Sequence, residues 1–293
     1  PYTIWADDDP MKNFLKMRLS DVLFYKNMTT DKFDMEEAAA SIEYYNEIIK
    51  HKSEIKSWDD EIKAYFYNSQ GYTLYHMSKH TVDRKKEYLD AALEKLKRAA
   101  LDSPYKGRYK RNLGLIYQSK GKYNDARNTY IEALKMDPQD YKAYNTVTAL
   151  DLKKFDEVTG IEDRTEILLD KIVFTDEIKQ KWESIIDKDI RWCKVAEKIS
   201  FSFVDTHYNM AKAYLYKYIC EERTDSRLLD LAKEQIGIAE DLDSDAPGTI
   251  FIRRNIYEAE GNFAKAYKCV KNELIEENDK NDKLRKIYLE RMQ

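Results

Sequence analysis

NLGLIYQSKGKYNDARNTYIEALKMDP, residues 112–138, decides the fold. Leu113, Gly114 and Tyr117 fall on one helical face, Gly121 interrupts the pattern, and Tyr123, Ala126, Tyr130 and Ala133 restart it before Pro138 stops it. The stretch reads as two helices joined by a tight turn. Gly114 and Ala126 lack the bulk that would hold two antiparallel helices apart, and Tyr117, Tyr123 and Tyr130 fill the space around their contact. One such hairpin cannot bury its apolar face alone, so similar neighbours are required.

The spacing resembles the tetratricopeptide repeat, whose pattern of Leu-Gly, Tyr, Ala, aromatic and Pro is met at Leu113, Gly114, Tyr117, Ala126, Tyr130 and Pro138, with Lys110 standing where the pattern has Trp. The resemblance implies an all-α fold, an antiparallel helix-hairpin solenoid wound as a right-handed superhelix, here of about 12–14 helices. The neighbours agree with it. IYEAEGNFAKA (256–266) repeats IYQSKGKYNDA (116–126), although Arg253 and Arg254 replace Leu-Gly. A looser copy begins at Gly71 and runs through Leu89, Ala92, Leu96 and Ala99 to Pro104, with extra residues around HMSKHTVDR; another spans 204–244 with Ala211, Tyr214, Leu229, Ala232, Ile236 and Ala239. A shift of 140 in residue number lays Leu89 on Leu229, Asp90 on Asp230, Tyr117 on Tyr257 and Gly121 on Gly261. The ten identities along 64–135 fit shared packing demands as well as they fit duplication.

Outside these copies the pattern is looser. MKNFLKMRLSDVLFYKN and FDMEEAAASIEYYNEIIKHK form a first hairpin, with Thr30 or Asp31 as punctuation and Ala38 to Ala40 at the close contact. Residues 141–203 lack the Gly and Ala markers, yet TEILLDKIVF and KWESIIDKDIRWCKVAEKI keep helical periodicity. NELIEENDKNDKLRKIYLERMQ is charged enough to cap a stack against water. The expected organisation is an extension at 1–10, repeats at 11–140, a degenerate helical segment at 141–203, and repeats with a capping helix at 204–293.

Composition supports this reading. With 43% apolar residues, only 8 Gly and only 5 Pro, 293 residues can bury a large helical core but supply few turns for hairpin-rich sheets. Lys plus Arg at 50 against Asp plus Glu at 54 leave a net charge of −4, the signature of helix faces carrying both signs. Cys193, Cys220 and Cys269 are odd in number and far apart, so reduced thiols in a cytoplasmic setting are expected. No apolar run is long enough for a membrane span, and PYTIWADDDP is acidic where a secretory signal is basic. The chain does not begin with Met, which raises the expectation of a piece of something larger.

Catalytic chemistry finds no foothold, so a non-enzymatic protein without cofactor or metal is expected. His76 and His80 lie four apart but lack the Glu of a metalloprotease motif; a solvated or capping role is the expectation. Glycine loops of the phosphate-cradling kind are missing. Acidic neighbours such as Asp59 and Asp60, or Glu276 and Glu277, point in different directions on a helix and read as solvated faces. Cys193 and Cys220 have no local nucleophile signature and read as packed thiols.

A binding groove is the stronger candidate. In tetratricopeptide folds the first helices of successive hairpins line a concave surface, and the resemblance places Asn68, Tyr72, Arg108, Arg111, Asn112, Lys142, Asn145, Tyr208, Asn209, Lys212 and Asn255 there. An Asn amide both donates and accepts, so a ladder of them suits the backbone of an extended peptide; Tyr adds apolar area with a polar tip. The family's chaperone-binding members clamp a terminal carboxylate with Lys, Asn and Arg. Asn112 and Lys142 match that set, while Asn68, Tyr72 and Thr146 depart from it, so the clamp itself is incomplete. Lys106, Arg108, Lys110 and Arg111, with Tyr105 and Tyr109, suit an acidic or phosphorylated segment; the negative net charge and the shortness of the cluster argue against nucleic acid. The expectation is a scaffold that holds a protein or peptide segment. The alternatives are the sensor arm of a larger ATPase switch or caspase-like protease, or a peptide-pheromone receptor, although residues 1–60 carry no recognisable helix-turn-helix.

Overall fold

A computed structural model of the chain describes residues 10–29, 33–52, 60–161, 174–245, 248–271 and 279–292. The described residues form thirteen α-helices, in keeping with the all-α expectation: α1 (Pro10–Thr29), α2 (Met35–Lys52), α3 (Asp60–Lys79), α4 (Lys85–Asp102), α5 (Gly107–Ser119), α6 (Tyr123–Met136), α7 (Tyr141–Thr159), α8 (Asp176–Ile199), α9 (Val204–Cys220), α10 (Arg227–Leu242), α11 (Thr249–Ala259), α12 (Phe263–Val270) and α13 (Asp279–Arg291). No helix among the described residues is long and apolar enough to cross a membrane. Thr30, Asp31, residues 1–9 of the expected 1–10 extension, most of TEILLDKIVF, Asp59, Glu276 and Glu277 lie outside the described residues, and Pro10 is the first residue of α1.

The chain divides between Pro138 and Gln139 into two compact units. In the first, α1 pairs with α2, α3 with α4 and α5 with α6, and each pair packs on the next. The α5–α6 hairpin is the one read from residues 112–138. Gly121 turns the chain with φ +71°, a left-handed conformation that a side chain resists, and Ile116, Ala126, Tyr130 and Ala133 are fully buried. A Cβ on Gly114 would lie 2.6 Å from Cδ1 of Tyr130, so glycine is what lets the two helices close. Lys110, in the place of the family's Trp, instead reaches Glu132 of α6 at 2.6 Å.

The second unit holds α7 to α13. Residues 141–203, which lack repeat markers, contribute α7 and α8; these pack together and both pack on α9. Large aromatic side chains take the place of the small ones there. The Phe155 ring of α7 lies 5.2 Å from Phe174, 5.3 Å from Trp182 and 4.8 Å from Tyr216. Buried Asp156 on α7 accepts hydrogen bonds from Lys212 and Tyr216 of α9, neutralising a charge that the core would otherwise expel. Beyond α12, Tyr288 of α13 is fully buried against Ala266 and Val270, so the terminal helix closes that end of the core.

The shift of 140 seen in the sequence reappears in the helices. It carries the last residue of α4, Asp102, onto the last of α10, Leu242; it also carries Ser119 onto Ala259 at the ends of α5 and α11, and Tyr123 onto Phe263 at the starts of α6 and α12. Gly261, the counterpart of Gly121, has φ +73°.

Candidate functional site

Within each unit the first helices of successive hairpins touch: α3 meets α5 in one, and α7 meets α9 and α9 meets α11 in the other. Second helices make no comparable contact with one another among the described residues. The first helices therefore occupy the tighter, inner side of each stack.

In the first unit, α3 presents Asn68, Tyr72, His76 and Lys79 at intervals of a helical turn, and α5 presents Arg108, Arg111 and Asn112. Asn68 and Asn112 are both nearly inaccessible, and Asn112 Nδ2 donates to Asn68 Oδ1 at 2.8 Å, tying α3 to α5. Tyr72 and Arg111 are half-buried and Arg108 and Lys79 are exposed; Tyr72, Arg108 and Arg111 stand within one helical turn of the amide pair in sequence, and Lys79 stands about three turns beyond it on α3. The Arg111 charge acts on both the Tyr72 and Tyr130 phenols, opposing the rise that burial causes in each. Of the basic cluster next to Arg108, Lys110 is engaged by Glu132, while Glu61 accepts from the Tyr105 hydroxyl and lies 3.8 Å from Lys106.

His76 departs from the expected solvated or capping role. It is half-buried among aromatic rings, with Tyr72 at 4.6 Å, Tyr75 at 5.2 Å and Phe33 at 6.3 Å between centroids. Phe33 stacks flat on exposed His80 at 4.5 Å, and Phe24 of α1 reaches Tyr72 at 6.1 Å. Burial, then the neighbouring Lys79 and His80, hold the His76 imidazole down at about 4, so the ring is neutral near pH 7. Its Nε2 is buried without a hydrogen-bond partner. In the sequence His76 is legible only as a metal ligand or a solvated side chain, and Lys79 carries no signal; the i, i+4 relation of Tyr72 to His76 is the available one.

In the second unit most of the polar residues expected along the groove are drawn into the packing. Asn145 of α7 donates to Thr206 Oγ1 at 2.8 Å and to the Tyr141 carbonyl at 2.9 Å, and Asn209 of α9 donates to the Asn145 carbonyl at 3.4 Å. Lys212 is buried against Asp156. Asn255 accepts from Arg254 at 2.9 Å, and Arg253, one of the residues replacing Leu-Gly, forks onto Glu240. Lys142 is exposed, and Tyr208 is half-buried beneath Gly248. The structure therefore brings Asn68 and Asn112 together, and Asn145 and Asn209, as ties between adjacent first helices.

Catalytic groupings are sparse. No set of three His, Cys, Asp or Glu side chains among the described residues is placed to hold a metal ion. Cys193 and Cys220 are buried free thiols, as their packing role predicts, and burial pushes Cys220 up to about 12.

The hairpin stack has counterparts among solved structures. A structure of PilF from Pseudomonas aeruginosa aligns over 92% of this chain and 98% of its own, with a TM-score of 0.58 and 8% identity. The fold is a tetratricopeptide-like helical solenoid. Two tetratricopeptide proteins align less closely with this solenoid: TTC0263 of Thermus thermophilus, with a TM-score of 0.49, 16% identity and 78% of this chain against 98% of that one; and YrrB, described as having an unusual peptide-binding site, with a TM-score of 0.46, 15% identity and coverage of 80% and 89%. No protein-family model matches the solenoid's sequence, and no curated protein sequence does.

Proposed function

We propose that this solenoid is a non-catalytic scaffold whose inner, first-helix side holds an extended segment of a protein or peptide partner. The observation that carries the reading is the Asn68–Asn112 bond on the side where the first helices meet, with Tyr72, Arg108 and Arg111 within one helical turn of the pair in sequence and exposed Lys79 about three turns further along α3. A peptide laid across such a surface gains apolar contact from the Tyr ring, which costs little side-chain entropy, and charge attraction from the three cations, which favours an acidic segment. Asn68 and Asn112 form the floor and keep the two helices in register; in the second unit Asn145 and Asn209 play that floor part, Lys212 and Asn255 are engaged by Asp156 and Arg254, and half-buried Tyr208 and exposed Lys142 are the groove side chains left to meet a partner. Reduced Cys193 and Cys220 support a cytoplasmic setting.

The test is selection from a random peptide library on the immobilised chain, followed by affinity measurements on a Lys79→Glu, Arg108→Glu variant. Both positions are exposed, so the fold should survive, which circular dichroism checks. The expected outcome is enrichment of acidic peptides that bind the variant at least about tenfold more weakly, since two reversed rim charges cost roughly 1 kcal/mol or more. Equal affinity for both proteins, or no enriched peptide, overturns the reading.

A further inference from the structure

We infer that the outward face of the second half of α8 is a docking surface for an acidic helix of a protein partner. This surface shares no residue with the first-helix groove. α8 buries Trp182, Ile186, Ile190, Cys193 and Ala196 against its neighbours, and the other side of its last three turns carries Lys188, Arg191, Lys194 and Lys198. Spaced three or four residues apart, they form a row of cations about 15 Å long. The carboxylates of this stretch are turned elsewhere: Asp187 pairs with Lys217 of α9 at 2.7 Å, Asp189 is buried, and Glu197 lies 3.9 Å from His207. None of the four cations forms an ion pair among the described residues. Like charges at i, i+3 and i, i+4 repel one another along a helix, whereas exposed cations of other helices sit beside an acid at that spacing, as Arg84 does with Glu87 and Arg98 with Asp102. A row held against its own repulsion calls for carboxylates from outside.

The middle of the row identifies the partner as protein. Val195 is 39% exposed there, next to half-buried Trp192 in the following turn of the face. The Lys188 ammonium covers the Trp192 ring at 4.4 Å and Tyr144 of α7 stands 6.5 Å from it, so a cation already occupies the ring face that would stack a nucleobase. A lipid surface takes up the apolar face of a helix, and α8 turns that face into the core. A second helix suits both features. Its carboxylates at i, i+3 or i+4, and i+7 meet the cations, and one aliphatic side chain among them covers Val195.

The test is selection from a library of helical peptides, random on one face, on the whole chain, with counter-selection on an Arg191→Glu, Lys198→Glu variant. Both positions are exposed, so circular dichroism should be unchanged; Arg191→Gln, Lys198→Gln serves the same comparison should the reversed charges disturb folding. The expected peptides carry Asp or Glu at helical spacing around an aliphatic residue and bind the variant at least about tenfold more weakly. They bind Lys79→Glu, Arg108→Glu as they bind the parent. Val195→Ser, which leaves every charge in place, should weaken them about threefold through lost apolar contact. Failure to recover a peptide that separates parent from variant, or recovery only of peptides without the acidic spacing, overturns the inference. Binding of oligothymidylate or of phosphatidylserine vesicles that the variant loses, with no such peptide, also overturns it and gives the face to nucleic acid or to lipid. Peptides sensitive only to Lys79 and Arg108 overturn docking on α8 while leaving the first-helix groove intact.

Discussion

Single atoms decide where this fold is tight and where it is open. Gly114 is required because Tyr130 occupies the space that a Cβ would need, and Tyr130 is held there by donating to Gln118 Oε1 at 2.8 Å. His76 is the reverse case, a polar side chain pressed among rings with one nitrogen unsatisfied. Its environment makes stability depend on pH in a fixed direction. Burial, Lys79 and His80 lower its pKa from the ordinary 6.5 to about 4, so the unfolded chain takes up the proton first. The contribution of neutral His76 to stability is therefore complete above pH 6.5 and is lost as the pH falls through 4. Between about pH 7.5 and about pH 5 the urea midpoint of the native chain should drop further than that of His76→Phe, in which this proton uptake is removed. Equal drops would mean that His76 titrates alike in both states.

At the level of helices, polar residues do the joining that a purely apolar stripe leaves unspecified. Asn112 ties α5 to α3, Asn145 and Asn209 tie α7 to α9, and Asp156 with Lys212 and Tyr216 ties the same two helices through the core. Lys212→Met should destabilise the chain by about 3–5 kcal/mol, because Asp156 would remain buried without its cation. Adding Asp156→Asn should recover part of that loss, since an amide needs no counter-charge. Denaturant unfolding of both variants measures it. If the single variant is as stable as the parent, the ion pair has no role in joining α7 to α9. The same logic makes Asn112→Ala a poor test of peptide binding: it removes a bond between helices as well as a surface amide. Exposed Lys79 and Arg108 separate the two effects.

For the whole molecule, each unit has its own buried core, and contacts within a solenoid run chiefly between neighbours. Damage should therefore spread locally. Gly114→Ala overpacks the α5–α6 hairpin and should cost about 1–3 kcal/mol. Hydrogen exchange followed by mass spectrometry should show faster exchange in α5 and α6 and their neighbours in the first unit, with α8 to α10 exchanging as in the parent. Uniform acceleration through all thirteen helices would instead mean that the chain unfolds as one cooperative block.

The sequence by itself determined the helix-hairpin architecture, because close approach of two helices demands small residues at fixed intervals, and Gly114, Gly121, Ala126, Tyr130 and Gly261 record that demand directly. It also located the first-helix positions at Tyr72, Arg108 and Arg111. Only the tertiary structure decided how α7 and α8 pack, since Phe155, Trp182 and Phe174 meet through long-range contacts that leave no short repeat to read. It also decided which polar residues stay open to solvent. Asn and Lys look alike in the sequence whether they reach water or a neighbouring helix, and Asn112, Asn145 and Lys212 were claimed by Asn68, Thr206 and Asp156, residues 44 to 61 positions away. His76 acquired its aromatic surroundings in the same way, from Phe33 of the preceding hairpin packing beside Tyr72 and Tyr75.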